Sequence, residues 1–241
     1  MLDWLRRRLA SGTFDEKADP ARLSGIGRKV AERLRASDGV SERGGKKAEL
    51  FLMPGFLAPT ECARLIELIE SNLLPSPLFS DPTGTGARTS QTHYFSAEEP
   101  EVAALGAKLD DLLGLERRHA ETVQGQRYDV GQEYRHHRDF FRVEREHWQL
   151  ERRRGGQRTW SAMVYLNAVE AGGETDFPEL DLSVAPEPGM LIAWNNVDRH
   201  GHPNPATLHA GMPVEAGRKY VVTQWYRMED WCRSPGPAEN A

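Results

Sequence analysis

A chain of 241 residues with a formal net charge of −5 is long enough for one sizeable core plus an appendage, and it has the wrong sign for a protein whose main task is holding nucleic acid. Its two cysteines, Cys62 and Cys232, are too few for a disulfide framework or a Cys-rich zinc site, and a reducing, cytoplasmic setting is the simplest expectation. No apolar run approaches the roughly 20 residues that span a bilayer.

In chain order, Arg6, Arg7 and Arg8 have no apolar stretch behind them, so no signal peptide is expected. The opening MLDWLRRRL has the pattern of a short amphipathic helix. It reads more simply as a solvated extension than as a contact with a membrane or partner. Residues 1–47 are charged and poor in large apolar side chains, and SDGVSERGGKK at 37–47 reads as a linker. A domain is expected over 48–232, with 233–241 as a disordered tail. It opens with a strand over 48–52, turned by Pro54 and Gly55. A helix begins near Pro59 and turns Cys62, Leu65, Ile66, Leu68 and Ile69 inward. Residues 75–92, with Pro and Gly throughout, read as a loop. A second helix over 98–115 sets Val102, Leu105, Leu109 and Leu112 at helical spacing.

After Thr122 the texture changes. TVQGQRYD, WSAMVYLN, TDFP, LSVAP, MLIAWNN and KYVVTQWYR are short apolar or alternating runs separated by turn residues, the pattern of an all-β core. The charged stretch at 142–158 interrupts it and reads as a mobile loop or hairpin beside a site mouth.

His137 and Asp139 stand two apart, which on a strand puts both side chains on one face. His209 follows 72 positions later and could close a triad if the sheet rolls up. Two imidazoles and one carboxylate make up the ligand set of a non-haem ferrous site with open positions for a co-substrate and dioxygen. A bare His-x-Asp is common by chance, and the alternative is a pair of surface polar residues. No His-Glu-x-x-His occurs, so a zinc hydrolase is disfavoured. Lys219, ten positions past His209, could anchor a dicarboxylate.

Taken together, RYDVGQEYRHHRD (127–139), GGETDF (172–177) and HAGMPVEAGRK (209–219) form a pattern similar to that of a known family. Tyr165-Leu166-Asn167, Pro186-Glu187-Pro188-Gly189, Trp225 and the earlier Arg88-Thr89-Ser90 add to it. The chain resembles the prolyl 4-hydroxylase branch of the 2-oxoglutarate- and iron(II)-dependent dioxygenases over roughly residues 48–231. The resemblance implies an α+β fold with a mainly β core, a double-stranded β-helix or jelly roll, with supporting helices packed on one sheet. It implies iron(II) on His137, Asp139 and His209, and 2-oxoglutarate with its distal carboxylate on Lys219, helped by the Thr175 hydroxyl.

By the same resemblance Tyr128 and Tyr165 contact the co-substrate, although as barrel-lining aromatics they could equally be packing residues. Tyr134, Arg158 and Trp225 match substrate contacts of the family, against the alternatives of surface exposure for Arg158 and core packing for Trp225. The implied reaction uses dioxygen, yields succinate and carbon dioxide, and hydroxylates a proline in a peptide or protein, with ascorbate as an external reductant. Hydroxylation of a free amino acid or small molecule, or a catalytically silent binding barrel, are the other readings. The intact triad and Lys219 argue against the last.

Overall fold

The computed structural model describes residues 19–76, 88–145 and 147–231. The N-terminal ten residues and the tail after 232 fall outside the described residues. The helices are α1 (Pro20–Arg35), α2 (Pro59–Ser71), α3 (Pro100–Leu113) and α4 (Trp148–Arg153). The strands before α4 are β1 (Ser41–Glu42), β2 (Leu50–Met53), β3 (Leu74–Pro75), β4 (Gln91–Tyr94), β5 (Gln124–Tyr128) and β6 (Tyr134–His137). Those after it are β7 (Arg158–Tyr165), β8 (Ala171–Gly172), β9 (Thr175–Phe177), β10 (Leu182–Val184), β11 (Leu191–Asn195), β12 (His209–Gly211), β13 (Val214–Ala216) and β14 (Lys219–Arg227). Proline at the first turn starts each of α1, α2 and α3, where its missing N–H is no loss. Gly114, with φ of 65°, ends α3 in the left-handed conformation that glycine adopts without strain.

The strands form an eight-stranded sheet in the order β1-β2-β11-β7-β14-β5-β4-β3 and a four-stranded sheet in the order β10-β9-β12-β6. The pairing is antiparallel throughout. Period-two alternation decides what each face of the large sheet meets. On β7, Trp160, Ala162 and Val164 join the core that contains Val30, Leu34, Leu65, Ile69, Leu105 and Leu109 of the helices. Met163 and Tyr165 point the other way, into a second core with Phe177 and Val184 of the small sheet. On β14, Tyr220, Val222 and Tyr226 pack under the helices. Lys219, Val221, Thr223 and Trp225 therefore face the space between the sheets. This is the jelly roll with helices on one sheet that the resemblance implied. The close packing of α2 depends on Gly125, where a Cβ would sit 2.3 Å from Ile69. Truncating a core aromatic such as Trp160 to Ala would cost about 3–5 kcal/mol.

Three expectations need correction. The N-terminal stretch up to residue 47 is not all extension and linker. α1 buries Leu23, Val30, Ala31 and Leu34 in the cores, and β1 pairs with β2. Its apolar stripe is narrow and diluted by Arg and Lys, so composition alone hid it. Residues within 75–92 are not all loop, because β4 pairs with β5 through the polar run Gln91–Tyr94. The charged insertion is not a free loop either. Trp148 is fully buried, and Gln157 clamps Phe141 through two hydrogen bonds, Phe141 N–H to Oε1 at 2.7 Å and Nε2–H to the Phe141 carbonyl at 2.8 Å.

Candidate active site

Register brings the three expected metal ligands together. β6 and β12 are antiparallel neighbours in the small sheet, and His137 stands directly opposite His209. Their ring centroids lie 4.2 Å apart. Asp139, two residues past His137 and just beyond the end of β6, completes a cluster whose ligand atoms all lie within 4.8 Å of one another. His137 Nε2 is 3.7 Å from Asp139 Oδ1, and His209 Nε2 is 3.9 Å from Oδ2.

The surroundings fix which atoms are free. His137 Nδ1 lies 2.8 Å from the Arg135 carbonyl and His209 Nδ1 lies 2.9 Å from the Thr207 carbonyl. A carbonyl only accepts, so Nδ1 carries a proton on both rings and Nε2 is the nitrogen left to face the cluster. Burial, reinforced by neighbouring His209, pushes the His137 imidazolium well below its usual range and keeps the ring neutral. Burial works to raise the Asp139 carboxyl. His209, His137, Arg158 and the Ser161 hydrogen bond outweigh it and hold the group below the usual carboxylate range. Asp139 Oδ2 accepts from Ser161 Oγ at 2.6 Å and from Trp225 Nε1 at 2.9 Å. Ser161 and Trp225 are themselves cross-strand partners on β7 and β14. Two donors thus occupy Oδ2 and leave Oδ1 as the oxygen free to bind a cation. Two imidazole Nε2 atoms and one anionic oxygen within 4.8 Å of one another fit a divalent iron.

Ten positions past His209, Lys219 stands at the other end of the same pocket. It is 2% exposed, and no carboxylate among the described residues forms an ion pair with it. Its Nζ lies 5.2 Å from the Tyr128 ring centroid and 5.3 Å from that of Tyr165. Burial lowers its pKa to about 7, and Glu174 opposes this only in part. A buried ammonium ringed by aromatics and lacking its own anion fits a ligand carboxylate. Thr175 also lines the pocket, with its Oγ1 2.6 Å from the Tyr165 hydroxyl, which is in turn 2.8 Å from the Val184 carbonyl. Tyr165 therefore stands behind Thr175, while Tyr128 lines the pocket itself.

The three residues expected to touch substrate divide. Tyr134 lines the pocket and stacks on His137, with centroids 3.6 Å apart and planes 17° apart. Trp225 lines it too, and its indole N–H is committed to Asp139. Arg158 stands behind Trp225, its guanidinium carbon 4.2 Å from the ring centroid and its N–H groups on Glu121 at 2.6 and 2.8 Å. Sequence reasoning did not single out Ser161. A serine at an inward position of an otherwise apolar strand was the available signal. Nor did it assign a site role to Trp194, whose ring meets His209 at 4.8 Å, or to Arg88, which lies over the Tyr134 ring at 5.0 Å.

Comparisons with known proteins agree with the resemblance read from the motifs. A family model for the 2OG-Fe(II) oxygenase superfamily matches residues 123–227. Prolyl 4-hydroxylase 2 of Arabidopsis thaliana is 31% identical over 211 residues, covering 77% of this chain and 69% of that protein. The viral collagen prolyl hydroxylase of Paramecium Bursaria Chlorella virus-1, solved as a 2OG complex, superposes with a TM-score of 0.60 at 31% identity, covering 78% of this chain and 99% of that one. A prolyl hydroxylase from Trichoplax adhaerens, solved with a hypoxia inducible factor peptide fragment, shares the fold with a TM-score of 0.57 at 17% identity, covering 86% of this chain and 91% of that one.

Proposed function

The chain belongs to the prolyl 4-hydroxylase branch of the 2-oxoglutarate- and iron(II)-dependent oxygenases, and from that membership and its site we propose that it hydroxylates proline within a peptide or protein. The observation that carries the reading is one pocket with a His-Asp-His cluster at one end and a buried lysine lacking its own anion at the other. Iron there would supply the oxidising chemistry, coupling oxidative decarboxylation of 2-oxoglutarate to succinate and carbon dioxide with insertion of one oxygen atom into a substrate C–H bond.

The side chains have distinct tasks in that scheme. His137, His209 and Asp139 Oδ1 would hold the metal, with Ser161 and Trp225 keeping Oδ2 out of the coordination sphere. Lys219 would pair with the distal carboxylate of 2-oxoglutarate, and Thr175 would donate its hydroxyl proton to the same group. Tyr128 would close the co-substrate chamber from the side, with Tyr165 fixing Thr175 from behind. Met163, Trp194 and Val221 would supply apolar wall to the same pocket, beside the polar Arg88, Gln126 and Thr223. Tyr134 and Trp225 would offer aromatic faces to an extended prolyl segment, which is pre-organised in the polyproline II form.

Two finer points belong to the same proposal. Ascorbate would serve as the external reductant that rescues oxidised iron. A cytoplasmic site of action fits a chain with only two cysteines, of which Cys62 is free and buried. No described helix is long and apolar enough to cross a membrane.

The test is mass spectrometry of a proline-rich peptide panel incubated with the protein, iron(II), 2-oxoglutarate and oxygen, with succinate assayed in parallel. Gain of one oxygen atom on proline, dependent on all three additions, is the expected result. Succinate formed with no change in any peptide would move the prime substrate to a small molecule or a folded protein. Neither product from iron-loaded protein would reject the reading.

A further inference from the structure

The charged insertion that interrupts the β core ends on the metal-binding carboxylate through a buried chain of charges. Arg158 on β7 and Arg227 on β14 are cross-strand partners, a like-charge pairing that is destabilising by itself. Arg227 is 2% exposed, so water cannot relieve it. Glu121 stands between the two. Its Oε1 accepts from Arg158 Nε at 2.6 Å and from Arg227 Nε at 2.5 Å, and its Oε2 accepts from Arg158 at 2.8 Å. One carboxylate between two guanidinium groups still leaves a buried positive charge. The second carboxylate comes from α4 in the insertion, where Glu151 Oε2 accepts from Arg227 at 2.6 Å and Oε1 faces the half-buried Arg154 at 3.3 Å. The insertion reaches this position over Gly155, whose φ of 126° and closeness to the Asp230 and Glu229 carbonyls leave little room for a side chain. Held this way, Arg158 lies against the Trp225 ring, and the Trp225 indole N–H reaches Asp139 Oδ2.

We propose that Glu151 is a positioning residue for the metal centre: through Arg227 and Glu121 it holds Arg158 against Trp225, and so keeps the Trp225 indole N–H on Asp139. Without Glu151 the buried Arg227 has one carboxylate left, and it draws Glu121 away from its two-point grip on Arg158. Arg158 then loosens from the indole, and Oδ2 of Asp139 loses a fixed donor. The insertion is thus a strap that sets the direction of a metal ligand from outside the pocket.

The hydrogen bond itself does not depend on the proposed function; its catalytic consequence does. The test reads the Trp225 indole proton by NMR in the metal-free full chain, assigned with Trp225→Phe, and Co(II) affinity in the same proteins. Glu151→Gln keeps the size and removes the charge. It should speed solvent exchange of that proton by at least about tenfold and weaken Co(II) binding by about tenfold. Adding Arg227→Met removes the uncompensated cation, lets Glu121 serve Arg158 alone, and should restore most of both. Val102→Ala on α3, far from the network, lowers stability without touching it and should leave both readouts at the parent value. Parent-like indole exchange and Co(II) affinity in Glu151→Gln would overturn the proposal, as would an equal response in Val102→Ala. An indole response in Glu151→Gln, with a parent protein that makes no succinate, would keep the strap and reject the oxygenase reading instead.

Discussion

The two ends of the pocket are built on opposite principles. At the metal end the ligand side chains are already held: both Nδ1 atoms bond backbone carbonyls, and Asp139 Oδ2 takes Ser161 and Trp225. At the far end Lys219 is buried between aromatic rings, and no carboxylate among the described residues forms an ion pair with it. One end is organised before its ligand arrives and binds by fixed direction. The other is left electrostatically incomplete and binds by supplying the charge that is missing. The difference separates what substitutions at each end should do to folding from what they should do to turnover.

The largest effect belongs to the organised end. His209→Ala removes one of the three proposed metal ligands while leaving most of the inter-sheet packing in place. Turnover should fall by several orders of magnitude, with the far-ultraviolet circular dichroism close to that of the parent. Succinate formation at the parent rate would break the assignment. At the incomplete end, Lys219→Met should act oppositely on stability and function. It replaces a buried, unpaired ammonium with an apolar chain of similar length, so the co-substrate-free protein should melt higher than the parent. The co-substrate requirement should rise by about a hundredfold or more, because the distal carboxylate would then be buried unpaired. Unchanged 2-oxoglutarate affinity would remove Lys219 from that role, and a lower melting temperature would show that its charge has a partner after all.

A smaller effect sharpens the account of the organised end. Ser161→Ala deletes one of the two donors to Asp139 Oδ2 and changes neither the charge nor the ligand count. Loss of an outer partner of this kind costs about 10–100-fold in metal affinity. Titration of Mn(II) into parent and variant by water-proton relaxation measures it. A variant that binds as tightly as the parent would mean that Trp225 alone fixes the carboxylate.

These two ends were not equally legible in the sequence. His137, Asp139, His209 and Lys219 could be read because the chemistry fixes their types and their motifs resemble the family's, although YRHH and HAG show no apolar alternation. Trp225 could be named because its place six after Lys219 resembles the family's, and period two on β14 puts it on the same inward face as Lys219. The partners of Asp139 could not, because the pairing of Ser161 with Trp225 is a matter of register between two distant strands. α1 was hidden because Leu23, Val30 and Leu34 sit among arginines and lysines, so the stripe that joins the core is only one side chain wide. β4 was hidden because its residues, Gln91, Thr92, His93 and Tyr94, are polar or amphipathic and show no apolar alternation. The insertion at 142–158 looked solvated because charge count does not reveal pairing. Glu151 and Glu121, far apart in sequence, meet the same guanidinium group of Arg227.

The smallest effect, and the most direct probe of the incomplete end, is its response to pH. Burial sets the pKa of Lys219 at about 7 in the co-substrate-free protein. The unfolded chain would hold it near the ordinary lysine value of about 10.4. Between these values the unfolded chain binds more protons than the folded one, so this group makes the free protein more stable as pH rises through that window. Co-substrate binding has the opposite slope. The carboxylate binds the charged form and raises the pKa, so affinity should be flat below about pH 7 and fall by up to about tenfold per unit above it, with proton uptake on binding. Calorimetric titration of 2-oxoglutarate into Mn(II)-loaded protein in buffers of different ionisation enthalpy, from about pH 6 to about pH 8.5, measures both the slope and the proton count. Lys219→Met should abolish both. If affinity is flat across the range, the ammonium is already charged in the free protein, and the contrast between an organised end and an incomplete one collapses to a difference in burial alone.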